Sequence, residues 1–321
     1  TCKTFKKNLN MKKFKVSIIG YGYWGPKLAR NFQNSNFFNL ATITDISNKN
    51  LIKAKRDFPL AKIGKDYKQS LKKSNTSLVV ISTPTKTHYK IAKYALEKKI
   101  NVLVEKPLSL SIKEVKILEN LAKRNKVLLF VDYPFLFSGS IKYIKKLIDN
   151  KKFGNLIEIE SFREQAPIRK DCNVVWDLTV HDVSILHFFL NKMPHRYESR
   201  KFKTVSKNQE DTAYLNLSYK NNINVFLKNT WISPSKIRLI KFKFKKAIVY
   251  CDENEPIYKV RVFKKKQANN NEYNLEVPDL DLSEPLSVLV NYIYKSLNEK
   301  RNIIFNNNLN LNITKILKKL C

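Results

Sequence analysis

An aspartate and a histidine four residues apart are the first indication of proton-transfer chemistry in this chain. Asp177 and His181 lie in the stretch Trp-Asp-Leu-Thr-Val-His. Residues four apart on a helix share one face, and a carboxylate beside an imidazole fixes its tautomer and raises its basicity. The pair is therefore predicted to supply a general base, although an ion pair on a helix surface explains the spacing equally well.

A lysine follows an apolar run. Lys106 stands between Glu105 and Pro107, directly after Asn-Val-Leu-Val. An ammonium group at the end of a strand can hydrogen-bond a substrate hydroxyl or carbonyl oxygen and stabilise charge that develops there. Glu105 and Lys106 are also predicted to contact the cofactor. By itself Glu-Lys-Pro is a common turn sequence, so both predictions depend on the surrounding motifs.

Three glycines form the spacing GxGxxG between an apolar run and a helical pattern. In Gly20-Tyr-Gly22-Tyr23-Trp24-Gly25 the first glycine permits a tight turn, the second lets the backbone approach a pyrophosphate, and the third lets helix and strand pack closely. The N-terminus of the following helix would face the phosphates. The loop, including Tyr23 and Trp24, is predicted to bind a dinucleotide. The alternatives are a glycine turn in another α/β fold or a different nucleotide.

An acidic residue ends the second apolar run. Asp45 follows Gly25 by about 20 residues, the separation at which a carboxylate holds the ribose hydroxyls of NAD. No arginine directly follows it, and its negative charge would repel a 2′-phosphate. NAD is therefore favoured over NADP as the cofactor.

Other polar residues follow a third apolar run. Thr83 and Pro84 end the run Leu-Val-Val-Ile-Ser, and His88 comes shortly after them. Ligands of open α/β sheets lie outside the carboxyl ends of the strands. These residues are predicted to contact the cofactor, although His88 could equally be a residue at a helix start with no ligand role.

Four residues precede or begin the segment that carries Asp177 and His181. Arg163, Arg169, Asn173 and Trp176 are candidates for holding substrate hydroxyls or a diphosphate, because guanidinium groups bind phosphate oxygens in a bidentate manner. For the two arginines and Asn173 the alternative is surface solvation. The sequence contains no Ser-His-Asp arrangement and no metal-ligand cluster.

The segments that position these residues show two different patterns of secondary structure. Short β-branched runs alternate with helical patterns in the first part of the chain, at 14–20, 25–32, 40–45, 48–58, 78–83, 88–98, 101–105, 112–124 and 127–131. This alternation predicts a doubly wound parallel sheet of the Rossmann type. Later runs follow one another directly, at 197–205, 212–219, 223–231, 236–244, 246–250 and 257–263. They predict a large, mostly antiparallel open sheet.

The predicted class is therefore α/β, with an N-terminal Rossmann domain over 11–133 and a C-terminal α+β domain for substrate binding and oligomerisation over 134–321. Residues 1–10 are predicted to be an extension or leader that is not a secretory signal. Helices are predicted at 140–149, 176–190, 284–298 and 312–320, a strand at 156–163 and a loop at 272–281.

Charge and cysteine content narrow the class of function. The formal net charge is +34, from 61 Lys and Arg against 27 Asp and Glu. Lysine greatly outnumbers arginine and is spread along the chain, which indicates solvated faces more than nucleic-acid binding. No apolar run reaches a membrane span, and the four cysteines are far apart, which fits a reducing cytoplasm. Neither nucleic acid, membrane nor metal is expected as a partner.

Together these motifs resemble the glucose–fructose oxidoreductase/inositol dehydrogenase (Gfo/Idh/MocA) family. The resemblance runs from about residue 14 to 320, and its specific parts are residues 20–26, 82–88, 104–108 and 173–182. It implies an N-terminal Rossmann domain and a C-terminal domain whose open sheet forms a dimer or tetramer. The catalytic lysine of the family falls on Lys106, and its Asp-xxx-His pair falls on Asp177 and His181.

The resemblance also implies the activity, which is hydride exchange between nicotinamide and a secondary alcohol of a sugar. His181 would remove the hydroxyl proton and Lys106 would hydrogen-bond the same oxygen. The subgroup suggests a nucleotide-linked sugar of surface-polysaccharide pathways. Departures at Lys27, at residues 132–134 and at residues 179–180 leave the substrate open. A dehydrogenase of a free polyol, inositol or aldose and a non-catalytic NAD-binding protein remain the alternatives.

Overall fold

The computed structural model describes residues 13–267, 272–302, 304 and 308–321. The extension predicted over residues 1–10 lies outside the described residues. The chain forms two compact units. The first runs to Leu108 and adds Lys116–Asp132 and a segment from Leu286. The second contains Ser109–Val115, Tyr133–Pro285 and the C-terminal helix.

The first unit is built on a six-stranded parallel sheet. Its strands are β1 (Phe14–Ile19), β2 (Phe38–Thr44), β3 (Lys62–Gly64), β4 (Leu78–Ile81), β5 (Asn101–Glu105) and β6 (Leu129–Asp132). Their order is β3-β2-β1-β4-β5-β6, in which β1 and β4 lie in the centre. This order reverses direction at β1, and the carboxyl ends of the central strands meet at one edge. The predicted Rossmann sheet is confirmed.

Helices connect these strands because apolar residues recur at helical spacing. They are α1 (Gly25–Gln33), α2 (Asn48–Asp57), α3 (Tyr67–Ser74), α4 (Thr85–Glu97) and α5 (Ile112–Arg124). In α1 the side chains of Leu28 and Phe32 are fully buried, as the amphipathic pattern requires. The short strand β3 and helix α3 were not predicted, because they carry few apolar residues.

A helix from the end of the chain belongs to the first unit. Helix α8 (Pro285–Glu299) places the ring of Tyr294 against Phe37, with centroids 3.9 Å apart and the rings stacked. Aromatic contacts thus join α8 to the first unit, and the domain boundary predicted after residue 133 stays a prediction. A contact between segments so far apart in the chain cannot be read from local sequence pattern.

The second unit contains an eight-stranded sheet. Its strands are β7 (Leu156–Glu164), β8 (Arg196–Phe202), β9 (Thr212–Tyr219), β10 (Ile223–Thr230), β11 (Ile237–Phe244), β12 (Ala247–Asp252), β13 (Val260–Lys265) and β14 (Tyr273–Glu276). The order is β14-β13-β12-β11-β7-β10-β9-β8, and only the β7–β10 pair is parallel. The predicted large, mostly antiparallel sheet is confirmed.

One local prediction in this unit is wrong. The stretch 272–281 was predicted as a loop, but β14 pairs with β13 inside it, with Leu275 opposite Phe263. The alternation of Tyr273 and Leu275 is short and flanked by acidic residues, which masked the strand pattern. Pairing with an existing sheet edge stabilises such a short strand.

The helices of the second unit are α6 (Gly139–Asp149), α7 (Val180–Leu190) and α9 (Leu309–Leu320). The helix predicted over 176–190 is divided, because Val175–Thr179 forms a π-helical turn before α7 begins. Turns of this kind occur frequently at functional sites. A short 3₁₀ turn at Pro134–Phe137, also not predicted, precedes α6.

Candidate active site

The glycine loop after β1 has backbone geometry that side chains would disturb. Gly20 has a φ of +94°, and an added Cβ there would lie 2.5 Å from the carbonyl oxygen of Ser82. An added Cβ on Gly25 would lie 2.3 Å from the carbonyl oxygen of Gly20. Both distances are too short for any L side chain, so these two positions require glycine.

Gly22 differs from the other two glycines. An added Cβ at Gly22 would meet no atom within 4 Å, so the backbone there borders open space. The next element, α1, starts at Gly25 with no side-chain cap and no acidic residue in its first turn. Uncapped N–H groups and the positive end of the helix dipole attract anions. The loop therefore fits the phosphates of a dinucleotide.

Cationic and aromatic groups surround the start of α1. The Lys27 ammonium lies 4.4 Å from the ring centroid of Tyr23 and 4.1 Å from that of Trp24. Tyr23 is largely exposed, with 81% of its surface accessible. Tyr23 and Trp24 occupy the loop that is predicted to bind the cofactor, and their contact with the cofactor stays a prediction.

Asp45 follows β2 and holds the glycine loop. Its Oδ2 accepts a hydrogen bond of 2.6 Å from the backbone N–H of Tyr21, and its Oδ1 accepts one of 2.8 Å from Ser47. The carboxylate is therefore fixed beside the loop and is half-buried. A carboxylate fixed in this way can still accept hydrogen bonds from ribose hydroxyls through its remaining lone pairs.

The residues after β4 contact the loop after β5. The Nε2 of His88 lies 2.8 Å from the carbonyl oxygen of Thr83, and its Nδ1 lies 2.9 Å from that of Pro107. His88 is buried and follows Pro84, which caps α4. These contacts connect the ends of two neighbouring strands. His88 therefore holds together the ends of β4 and β5, where the cofactor is predicted to bind. Its direct contact with a cofactor stays a prediction.

Two carboxyl groups lie at the ends of neighbouring strands. Glu105 ends β5 and is in register with Asp132, which ends β6. The Oδ2 of Asp132 accepts a hydrogen bond of 2.8 Å from the indole N–H of Trp24. Burial, and then the charge of Asp132, raise the pKa of Glu105 well above its ordinary value. Burial also raises the pKa of Asp132, whereas nearby Lys106 opposes both shifts.

Asp132 was not predicted as a site residue. The available signal was an acidic residue at the end of the apolar run Leu-Phe-Val. Acidic residues are rare in buried strands, so the sequence alone marks this position as a candidate site residue.

In the second unit, the buried carboxylate of Asp177 lies in the π-helical turn. Its Oδ2 accepts a hydrogen bond of 3.0 Å from the indole N–H of Trp231, and its Oδ1 lies 3.5 Å from Nη1 of Arg169. Arg169 also pairs with Asp171, and this hydrogen bond raises the pKa of Arg169. Trp231 was not predicted as a site residue, because it is 54 positions from Asp177 in the chain and only the folded structure brings the two together.

His181 lies in the first turn of α7, next to an aromatic ring. The centroids of the His181 and Phe135 rings are 5.1 Å apart in an edge-to-face arrangement. Phe135 also contacts Arg163, whose guanidinium carbon lies 4.6 Å from the Phe135 ring centroid. The link between His181 and Asp177 that the spacing suggests stays a prediction.

Arg163 was predicted to bind substrate, but the structure places it in a buried ion pair. Its Nη2 lies 3.1 Å from Oδ1 of Asp182, and the two side chains are 2% and 1% exposed. Ser161 and Asn229 also donate hydrogen bonds to Asp182. A guanidinium so enclosed has a structural partner already, and its contact with substrate stays a prediction.

The remaining two predicted substrate residues lie close to each other. The side-chain oxygen of Asn173 accepts a hydrogen bond from the backbone N–H of Trp176 at 3.2 Å, and its amide nitrogen donates one to Glu210 at 3.1 Å. Trp176 is only 5% exposed.

A further arginine, Arg238, was not predicted, and burial lowers its pKa to about 10. Asp177 and Asp182 act on Arg238 electrostatically, so it belongs to the same charged cluster.

Within the described residues, no three His, Cys, Asp or Glu side chains are grouped as a metal ion would require. In the same part of the chain, no helix has the length and apolar composition to cross a membrane. The predicted cofactor residues lie on the first unit, and the predicted Asp-His pair and substrate residues lie on the second.

Comparison with known proteins identifies relatives of both units. Residues 14–133 match the oxidoreductase family GFO_IDH_MocA, described as having an NAD-binding Rossmann fold. Residues 141–253 match the GFO/IDH/MocA C-terminal domain. The two matched segments together cover most of the chain.

One relative with a named activity is the myo-inositol 2-dehydrogenase of Thermotoga maritima. It is 26% identical over 185 residues, which cover 56% of this chain and 55% of that protein. The matched stretch thus spans about half the length of that relative.

Solved structures share the fold over nearly the whole chain. The UDP-N-acetylglucosamine 3-dehydrogenase of Acidithiobacillus ferrooxidans has a TM-score of 0.84 and 18% identity, and the match covers 97% of each chain. An oxidoreductase from Agrobacterium radiobacter, in complex with NAD+, L-tartaric acid and magnesium, has a TM-score of 0.82 and 15% identity over 96% of this chain and 95% of that one. At these sequence identities the likeness shows a shared fold alone.

Proposed function

This chain belongs to the GFO/IDH/MocA family of NAD-binding oxidoreductases, and we propose that it transfers a hydride between nicotinamide and a secondary alcohol or ketone of a sugar. The observation that carries the proposal is the glycine loop. Its backbone at Gly22 borders open space and leads into the uncapped α1, while Asp45 is fixed beside it. When bound, NAD accepts or donates the hydride, which is chemistry that no side chain supplies.

The chain's own residues handle the proton and the charge. His181 takes the hydroxyl proton of the alcohol during oxidation and returns it during reduction. Asp177 stabilises the imidazolium of His181, and its own orientation is fixed by Trp231 at 3.0 Å. Lys106 donates a hydrogen bond to the substrate oxygen and stabilises negative charge that develops on it.

NAD is proposed in preference to NADP because of Asp45. One oxygen accepts a backbone hydrogen bond from Tyr21 of the glycine loop and the other accepts one from Ser47, which prevents the carboxylate from turning away. A fixed negative charge favours the ribose hydroxyls of NAD and repels the 2′-phosphate of NADP. Titrations of both cofactors should give the tighter dissociation constant for NAD, and Asp45→Ser should narrow the difference.

The substrate is proposed to be a nucleotide-linked sugar. This assignment is supported by the fold shared with UDP-N-acetylglucosamine 3-dehydrogenase over nearly the full length of both chains. Arg169 is partly exposed and near Asp177, so it is the better of the two predicted arginines for a diphosphate. A free polyol or inositol is the alternative, which the sequence likeness to myo-inositol 2-dehydrogenase favours.

A homo-oligomer formed through the open face of the second sheet is also proposed, as a dimer or tetramer. On this face Tyr214 and Phe226 are 48% and 44% exposed and border a shallow groove of about 400 Å³ with Glu160, Phe162 and Lys228. Aromatic residues exposed on a sheet face are typical of contact surfaces between subunits. Light scattering of the full chain and of Phe226→Lys would test the assembly.

The test of function is an initial-rate screen of NADH formation over UDP-sugars, myo-inositol and free aldoses. Oxidation of a UDP-sugar is the expected result, and oxidation of inositol alone would favour the alternative. Tight NAD binding without turnover of any sugar, in either direction, would favour a non-catalytic NAD-binding protein.

The role of His181 is tested by His181→Ala. Turnover should fall by roughly 10²–10⁴ because general-base catalysis is lost, whereas the dissociation constant of NAD should be unchanged. His195→Ala is the matched control, since His195 is exposed before β8. Unchanged turnover in His181→Ala would remove His181 from the mechanism.

A further inference from the structure

The carboxyl groups of Glu105 and Asp132 meet at one edge of the parallel sheet. The two residues are register partners at the ends of β5 and β6, and each carboxyl group acts on the pKa of the other. A carboxylate has no proton to donate, so two neighbouring carboxyl groups can hydrogen-bond to each other only if one of them is protonated.

The surroundings of the pair also require a proton. The Oε1 of Glu105 and the Oδ1 of Asp132 are buried, and no N–H or hydroxyl group of the described residues donates to either oxygen. Two adjacent buried carboxylates would repel each other strongly, as in enzymes where two carboxyl groups share one proton. Burial raises the pKa of both groups, which also favours a retained proton.

We propose that Glu105 and Asp132 share one proton and so carry a single negative charge, which holds the indole of Trp24 and faces Lys106. Asp132 is then a positioning residue that ties the glycine loop to the strand end carrying Lys106. The geometric support is the 2.8 Å hydrogen bond from Trp24 to Asp132. Lys106 is the charged group that acts on both carboxyls, and Trp24 supplies a neutral donor.

A consequence for the cofactor follows, and this part rests on the proposed function. Ligands of open α/β sheets lie outside the carboxyl ends of the strands, where Glu105 and Asp132 are found. Oxidised nicotinamide carries a positive charge and reduced nicotinamide does not. A single retained negative charge at this edge therefore favours the oxidised cofactor over the reduced one.

The shared proton is tested in the full-length, ligand-free protein by infrared difference spectroscopy near neutral pH. The wild type should show the carbonyl band of a protonated carboxylic acid, and Glu105→Gln and Asp132→Asn should each lose it. In either variant the remaining carboxylate has an amide donor beside it and ionises. Glu97→Gln is the control, because Glu97 is about half exposed and pairs with Lys93. Absence of the band in the wild type, or its persistence in both pair variants, would overturn the proposal.

The single charge is tested by calorimetric titration with NAD+ and NADH. Each single amide variant keeps one negative charge, so the ratio of the two dissociation constants should stay within about twofold of wild type. The double variant Glu105→Gln/Asp132→Asn keeps none, and its ratio should shift roughly tenfold toward NADH. An unchanged ratio in the double variant would contradict the charge assignment.

The two tests separate the inference from the proposed function. If the wild type binds neither nucleotide, the proposed function fails while the infrared result still decides whether the proton is shared. Circular dichroism of all three variants confirms folding, and the amide substitutions keep the shape of the side chains.

Discussion

The indole nitrogen of Trp231 lies 3.0 Å from Oδ2 of Asp177 and donates a hydrogen bond to it. Trp231 follows β10, whereas Asp177 lies in the π-helical turn before α7. Both side chains are nearly fully buried. The carboxylate that is proposed to orient His181 is therefore itself oriented by a residue 54 positions away in the chain.

Trp231→Phe removes this hydrogen bond and keeps an aromatic ring. A hydrogen bond to a charged group contributes about 1.5–3 kcal/mol, so the free energy of unfolding should fall by about that amount. Turnover should fall roughly tenfold, and the pH profile of turnover should shift, while NAD affinity is unchanged. Urea unfolding and initial rates measure these effects, with Tyr214→Phe as the control. An unaltered pH profile would show that Trp231 is structural only.

Two glycines in the same loop should behave differently when replaced by alanine. Gly25→Ala places a Cβ 2.3 Å from a backbone oxygen, so it should lower the free energy of unfolding by about 1–3 kcal/mol or more. Gly22→Ala meets no protein atom and should fold normally, yet it should weaken NAD binding by roughly 5- to 100-fold. Thermal unfolding and NAD titration distinguish the two variants. Unweakened NAD binding in Gly22→Ala would argue against a cofactor approaching the backbone there.

The buried ion pair of Arg163 and Asp182 should show strong coupling. Arg163→Met and Asp182→Asn each leave one partner of the pair buried without its counter-charge, and such changes cost about 3–5 kcal/mol. The double variant should lose less free energy of unfolding than the two single variants together, because no isolated charge remains. Urea unfolding of the four proteins completes the cycle. Additive losses would mean that the pair contributes little beyond its separate hydrogen bonds.

The raised pKa of Glu105 predicts a pH dependence of stability. The folded chain holds the proton more tightly than the unfolded chain, so stability falls as pH rises from about 4.3 toward the raised folded pKa. Glu105→Gln has no such proton, so its stability relative to wild type should increase with pH across this window. Urea midpoints at pH 5 and pH 8 test the trend, with Glu97→Gln as the control. A constant difference between wild type and variant would contradict it.

Local pattern was sufficient for most of the fold and for part of the site. The GxGxxG spacing, the β-branched runs and the alternating apolar residues predict the Rossmann sheet and the second sheet, because each depends on neighbours within a few positions. Strand β14 and helix α3 were not predicted because their apolar patterns are short and weak. The π-helical turn was not predicted either, because it differs from an α-helix in its hydrogen-bond register and not in its residue pattern.

Residues that act through long-range contacts could not be assigned from sequence. The segment containing Arg163 indicated a substrate contact, yet only the sheet brings Asp182 within 3.1 Å and buries both groups. Asp132 is not part of a recognised motif, and its proposed role follows from its strand register with Glu105.

The sequence by itself determined the fold class, the dinucleotide loop and the identity of the residues that could transfer protons, because these depend on residue type and short spacing. The tertiary structure alone decided which charges are paired and which are buried. Pairing and burial depend on strand order and on the removal of water from groups that are distant in the chain.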